Sequence, residues 1–152
     1  MLNQTSAVAI PKILGDPRFK VYREETNRNI GRRSKIVADI LHTVPQLTFN
    51  ETFGAFYNTI IFRAGTLKPH QKLEIHDTKI KKLVEDWTAE DMPLDKRFVY
   101  YLLGAKGVCV VPISSFCSEL QGFRVTLLEE KEDTLIKTFT AIRDGIVAYL
   151  DS

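Results

Sequence analysis

The 152-residue sequence predicts an α+β fold, a small antiparallel or mixed sheet with helices packed on it as a separate layer. Three observations carry this reading. Two stretches show apolar residues three or four apart, one opening at Asp16-Pro17 and one running from Glu130 to Leu150. Between them lie short runs rich in β-branched and aromatic residues, separated by turn-forming Gly, Pro and Asn. In Gly122–Leu128 strand alternation puts Phe123, Val125 and Leu127 on one face and Arg124 and Thr126 on the other, as in a strand buried on one side only.

Ser6-Ala7-Val8-Ala9-Ile10 is a short apolar patch that Pro11 interrupts, so residues 1–15 read as the tail of a preceding structure. Asp16 then serves as an N-cap with Pro17 at the first helical position, and the helix runs to about Leu41. Its first half is thinly apolar and Gly31 weakens its middle, so this long helix leans on something outside its own domain. After Pro45, Leu47–Phe49 and Ala55–Phe62 read as an antiparallel pair of strands, with a loop from 63 to 76. Asp77 caps a helix carrying Ile80, Leu83, Val84 and Trp87. Asp95 caps another through Phe98, Val99, Leu102 and Leu103, with Gly104 and Gly107 as its stop. A strand over 108–112, with Cys109 as a buried thiol, leads through an irregular stretch to the arginine strand. The last helix places Leu135, Ile136, Phe139, Ile142, Ile146, Val147 and Leu150 at helical spacing.

The bulk numbers exclude several classes. A chain of this length is one domain, and 44% apolar with 26% charged residues is ordinary for a globular protein. The net charge of +2 is too small to argue for nucleic acid or membrane attraction. The basic cluster Arg32-Arg33-Ser34-Lys35 reads as a solvated helix face. His42, His70 and His76 are scattered, and Cys109 and Cys117 have no zinc-site spacing, so no metal is expected. With no signal-peptide pattern visible, the reading is a cytoplasmic protein with reduced thiols.

Arg124 is the residue whose chemistry asks for a partner. A guanidinium set in an apolar strand presents a planar fork of donors that matches a carboxylate bidentately. The nearest following acids, Glu129 and Glu130, come past the strand end. The residue is either an arginine on the wet face of the strand or the receptor for an anion.

Three segments bear on that choice. Gly54-Ala55-Phe56-Tyr57 resembles the "GAFY" strand that follows the long interdomain helix of class I/II, fold-type I pyridoxal-phosphate-dependent aminotransferases. Gly107-Val108-Cys109-Val110-Val111-Pro112 resembles the helix exit and strand of their small C-terminal domain. Gly122-Phe123-Arg124-Val125-Thr126 resembles the "FR" strand near their C-terminus. The order and spacing fit, and the likeness covers about residues 5 to 150. It implies a single domain: 1–15 as the remnant of a large-domain boundary, 16–42 as the interdomain helix, and 45–152 as the α+β core. It further implies that Arg124 grips the substrate α-carboxylate, that Gly54, Phe56, Tyr57, Ser114 and Ser115 line the pocket, and that the whole protein is a dimer. The substrates would be amino acids and 2-oxo acids, with no nucleic acid or membrane partner. Pyridoxal 5′-phosphate would serve the parent enzyme, but its imine lysine belongs to the large domain, so this segment alone should bind no cofactor and carry no catalytic residue. Lys106 and Lys131, which flank the strands, read as solvated. Two departures stand out: Ile113 follows the motif proline where a small residue is usual, and Phe53 precedes Gly54. The alternatives are a non-enzymatic module that binds small carboxylates or a protein, and a structural helper domain.

Overall fold

In the computed structural model, which describes residues 4–89 and 91–152, the elements follow in the order α1 (Gln4–Leu14), α2 (Pro17–Leu41), β1 (Leu47–Thr48), β2 (Tyr57–Phe62), α3 (Thr78–Trp87), α4 (Leu94–Lys106), β3 (Val111–Pro112), a 3₁₀ turn (Ile113–Phe116), β4 (Gly122–Thr126) and α5 (Glu132–Leu150). The fold is α+β. The sheet order is β1-β2-β4-β3 and every pairing is antiparallel, so the mixed alternative falls away. Among the described residues no helix is long and apolar enough to cross a membrane.

Local sequence chemistry places the helix ends. The Asp16 carboxylate accepts a hydrogen bond from the Arg18 amide at 2.9 Å and starts α2 with Pro17 behind it. The same Arg18, through its side chain first, holds the Asp16 carboxyl below its usual range. Asp77 caps α3 by accepting from Lys79 N and Ile80 N at 2.8 and 3.0 Å. Gly107 ends α4 in the left-handed region at φ 67, a conformation cheap for glycine. Gly31 does not interrupt α2.

One face of the sheet is the core. Ile60, Phe62, Phe123, Val125 and Leu127 are buried there with Val37 and Leu41 of α2, Phe98 and Leu102 of α4, and Leu135, Ile142 and Ile146 of α5. Each fully buried side chain of this size contributes about 2 kcal/mol. Phe98 sits edge-on between Phe62 and Tyr149, with ring centroids 5.1 and 5.2 Å away. The strands come close enough that a Cβ on Gly122 would stand 2.3 Å from the Ile60 carbonyl oxygen. On the opposite face Tyr57, Thr59, Val111 and Thr126 are exposed, and Arg124 lies among them half-buried.

Several sequence expectations need correcting. Val8–Leu14 continues as helix through Pro11 rather than ending at it. Asp95 is not a cap: α4 begins a residue earlier, with Pro93 in the cap position, and the fully buried Asp95 carboxylate turns inward. It accepts from the backbone amides of Lys96, Ser114 and Gly122 at 2.7, 2.9 and 3.3 Å. Gly104 does not stop α4 but lies inside it, where a Cβ would meet Ile75 and Val84 at 2.8 Å. The run 108–112 pairs only at Val111–Pro112, and its alternation turns Val110 inward and Cys109 out, so the thiol is exposed.

The segment 63–77 is irregular as expected, yet it inserts Leu67, Leu73 and Ile75 into the core. Buried Gln71 holds its shape, accepting from Lys68 N at 2.7 Å and donating to the Leu150 carbonyl at 3.3 Å. The basic cluster on α2 is only half solvated. Arg33 donates to the Leu127 carbonyl at 3.1 Å, and buried Ser34 accepts from the Thr52 amide at 2.9 Å. The apolar stripe of α3 is largely open, because of its members only Val84 is buried.

Candidate functional site

Burial of Phe123 and Val125 on either side forces Arg124 onto the outer face of the sheet. Arg124 stands in a central strand, opposite Thr59 of β2 and Val111 of β3. Its guanidinium carbon lies 4.5 Å from the centre of the Tyr57 ring and 4.2 Å from that of Phe116. Both distances are within cation–π range. Among the described residues no carboxylate forms an ion pair with it. The charge therefore packs against two aromatic rings, without a carboxylate partner among the described residues, on the face where Tyr57, Thr59, Val111 and Thr126 are exposed.

Each aromatic arrives by a different route. Tyr57 opens β2, and the antiparallel register sets it opposite Thr126, diagonal to Arg124. Phe56 packs against Tyr57 with ring centroids 4.4 Å apart and the rings tilted by 42°, and its carbonyl accepts from Leu127 N at 2.8 Å, extending the pairing by one step. Phe116 ends the 3₁₀ turn. Ile113 anchors that turn in the core and the Asp95 carboxylate holds the Ser114 amide. Cys117, at φ 56, takes the left-handed conformation that lets the chain leave the turn. For a residue with a side chain this costs about 1 kcal/mol.

Of the residues expected to line a pocket with Arg124, the structure brings Tyr57 beside it and Phe56 behind Tyr57. Ser115 is exposed in the same turn as Phe116. Gly54 belongs elsewhere: it packs on α2, where a Cβ would lie 3.3 Å from the Asn27 side-chain oxygen. Ser114 belongs to the Asp95 junction, and its hydroxyl is buried without a hydrogen-bond partner. Phe116 is the residue that sequence reasoning missed. The available signal was an aromatic standing alone in the polar stretch Ser114-Ser115-Phe116-Cys117-Ser118. A depression of about 170 Å³ lies along β3 and β4, with Val111, Arg124, Thr126 and Thr138 in its lining.

The remaining chemistry is sparse. Among the described residues no group of three His, Cys, Asp or Glu is placed to hold a metal ion. Every described lysine is exposed except Lys96, which is half-buried against the Tyr100 ring at 6.0 Å. No lysine therefore sits in a recess where a carbonyl cofactor could be attached and shielded from water.

No protein-family model matches the chain. Over 143 residues it is 38% identical to an uncharacterized aminotransferase of Methanocaldococcus jannaschii; the match takes in 94% of this chain and 33% of that relative. The chain thus spans about a third of the length of the curated relative it matches.

Proposed function

We propose that this chain is the substrate-carboxylate-binding C-terminal domain of a pyridoxal-phosphate-dependent amino-acid:2-oxo-acid aminotransferase, with Arg124 as the carboxylate receptor. The observation that carries the reading is a guanidinium that lies over two aromatic rings on an exposed sheet face and, among the described residues, has no carboxylate partner. The similarity to an aminotransferase over nearly the whole chain supports it. A bidentate pair with Arg124 would fix the α-carboxylate of an amino acid and so the direction of its Cα–H bond. The described residues of this chain do not fit the cofactor itself, since none of the described lysines is recessed. The electron-sink chemistry belongs to groups outside these residues.

A chimera tests this. In it the present chain replaces the matching third of the M. jannaschii relative, and transamination is followed with the cofactor supplied. The expected result is activity whose KM for the amino acid rises about 100-fold on Arg124→Ala, the loss of a charge-assisted bidentate pair. An active chimera indifferent to that substitution would sink the assignment. The chain by itself, mixed with pyridoxal phosphate and borohydride, is expected to form no stoichiometric lysine adduct.

One observation favours a second reading, a free-standing carboxylate-binding module. The chain closes a core of its own, from Ile30 to Tyr149. Titration with amino and 2-oxo acids separates the two. Affinity in the chain alone that is lost in Arg124→Ala marks the module, whereas a half-site binds too weakly to saturate.

A further inference from the structure

Phe116 and Tyr57 are 46% and 42% exposed, too open for their main contribution to be core burial. What they cover is Arg124. With Tyr57 at 4.5 Å and Phe116 at 4.2 Å from its guanidinium carbon, the group lies over both rings. A guanidinium hydrogen-bonds only in its own plane. Ring faces in contact with its central carbon leave the N–H edge as its donor surface and restrict the rotations that would swing that edge aside.

The two rings differ in how they are held. Tyr57 is in the sheet, fixed by its register with Thr126. Phe116 is on the 3₁₀ turn, held from beneath by Asp95, which accepts from the amides of both Ser114 on the turn and Gly122 at the start of β4. One buried carboxylate thus ties the strand that carries the arginine to the turn that carries the second ring.

We propose that Phe116 is a positioning residue: it immobilises the Arg124 guanidinium against Tyr57 so that its N–H edge is already oriented for a carboxylate arriving in plane. The ligand class rests on the carboxylate reading above; the immobilisation does not. Preorganisation of this kind strengthens binding by removing the ordering cost from the encounter.

The test is nitrogen-detected NMR of the arginine side chains in the whole chain, with benzoate as the probe. In the unsubstituted protein the Arg124 side-chain N–H signals are expected to be displaced by ring currents and split by slow rotation. Phe116→Ala and Phe116→Leu should collapse them to the averaged pattern of a solvent-exposed arginine, while Phe116→Tyr retains the splitting. The initial slope of the Arg124 shift against benzoate concentration, which reads affinity without saturation, should fall about fivefold in Phe116→Ala and stay within about twofold in Phe116→Tyr. Arg124 signals unchanged in both truncated variants would overturn the proposal, as would an averaged pattern in the unsubstituted protein. Phe116-dependent signals with no saturable benzoate binding would uphold the positioning role and exclude the free-standing carboxylate-binding module, as expected of a half-site. Because Phe116 is half-exposed, the variants are expected to fold, and unchanged dispersion of the core methyl signals serves as the check.

Discussion

At the scale of single residues, two side chains make opposite demands on the same fold. Arg124 is a half-buried charge without a carboxylate partner among the described residues, and its planar fork is the feature a ligand would use. Arg124→Lys keeps the charge but loses the fork and the stacking surface. It is expected to lower carboxylate affinity nearly as far as Arg124→Ala, with a thermal midpoint within a few degrees of the parent, measured by calorimetry. Tyr149 is the reverse, a fully buried phenol whose oxygen has no hydrogen-bond partner among the described residues. Burial pushes its pKa from 10.0 up to about 12, against the opposing pull of the Arg97 charge. A phenol harder to ionise folded than unfolded stabilises the fold fully below pH 10, and the contribution is lost as pH rises through about 12. The loss is on the order of 2 kcal/mol. Tyr149→Phe should flatten that alkaline decline in urea titrations and change neutral stability by less than about 1 kcal/mol, since an orphan hydroxyl is removed.

At the scale of elements, the junction of α4, the 3₁₀ turn and β4 has the least freedom. Three amides converge on the Asp95 carboxylate, two of them from outside its own helix. Asp95→Ala leaves those donors buried and unmet, and should lower unfolding free energy by about 3 kcal/mol in denaturant melts. The same change should free the Arg124 side-chain signals, because the turn that carries Phe116 loses its tether. Gly122→Ala acts on the neighbouring contact. Its Cβ would meet the Ile60 carbonyl oxygen at 2.3 Å, a backbone atom that cannot rotate away. A cost of about 3 kcal/mol is expected, read in the same melts.

Across the whole molecule, stability is unevenly spread. All the buried residues of α2 lie between Ile30 and Leu41, where it packs on α5, while Val21 and Tyr22 in its first half are both 65% exposed. Val8, Ile10, Ile13 and Leu14 on α1 are exposed as well. A helix without a buried face has little beyond its own hydrogen bonds to hold it in water. Hydrogen exchange should therefore protect α5 and residues 30–41 to the global limit and leave residues 17–28 exchanging orders of magnitude faster. Trypsin should cut first at Arg23 or Arg28. Uniform protection along α2 would show that its first half is stabilised by something other than burial.

The helix starts at Asp16 and Asp77, the stop at Gly107, the two faces of the arginine strand and the α+β class were legible in the sequence; the α5 stripe was so only in part, since Ile136 and Val147 are exposed and the buried Tyr149 was missed. These depend on interactions within one turn or on a period of two or 3.6, and the residues involved are neighbours in the chain. The capping reading of Asp95 failed because its decisive partners, Ser114 and Gly122, are supplied by other elements. The buried coil at Leu67–Ile75, the outward Cys109 and the Arg33–Leu127 bond escaped for the same reason. So it is with the site. The sequence by itself determined that an arginine would stand on the open side of a central strand. That Tyr57 and Phe116 would close on it was decided only by tertiary structure, because strand register and a turn held from a distant helix bring together residues that no local rule connects.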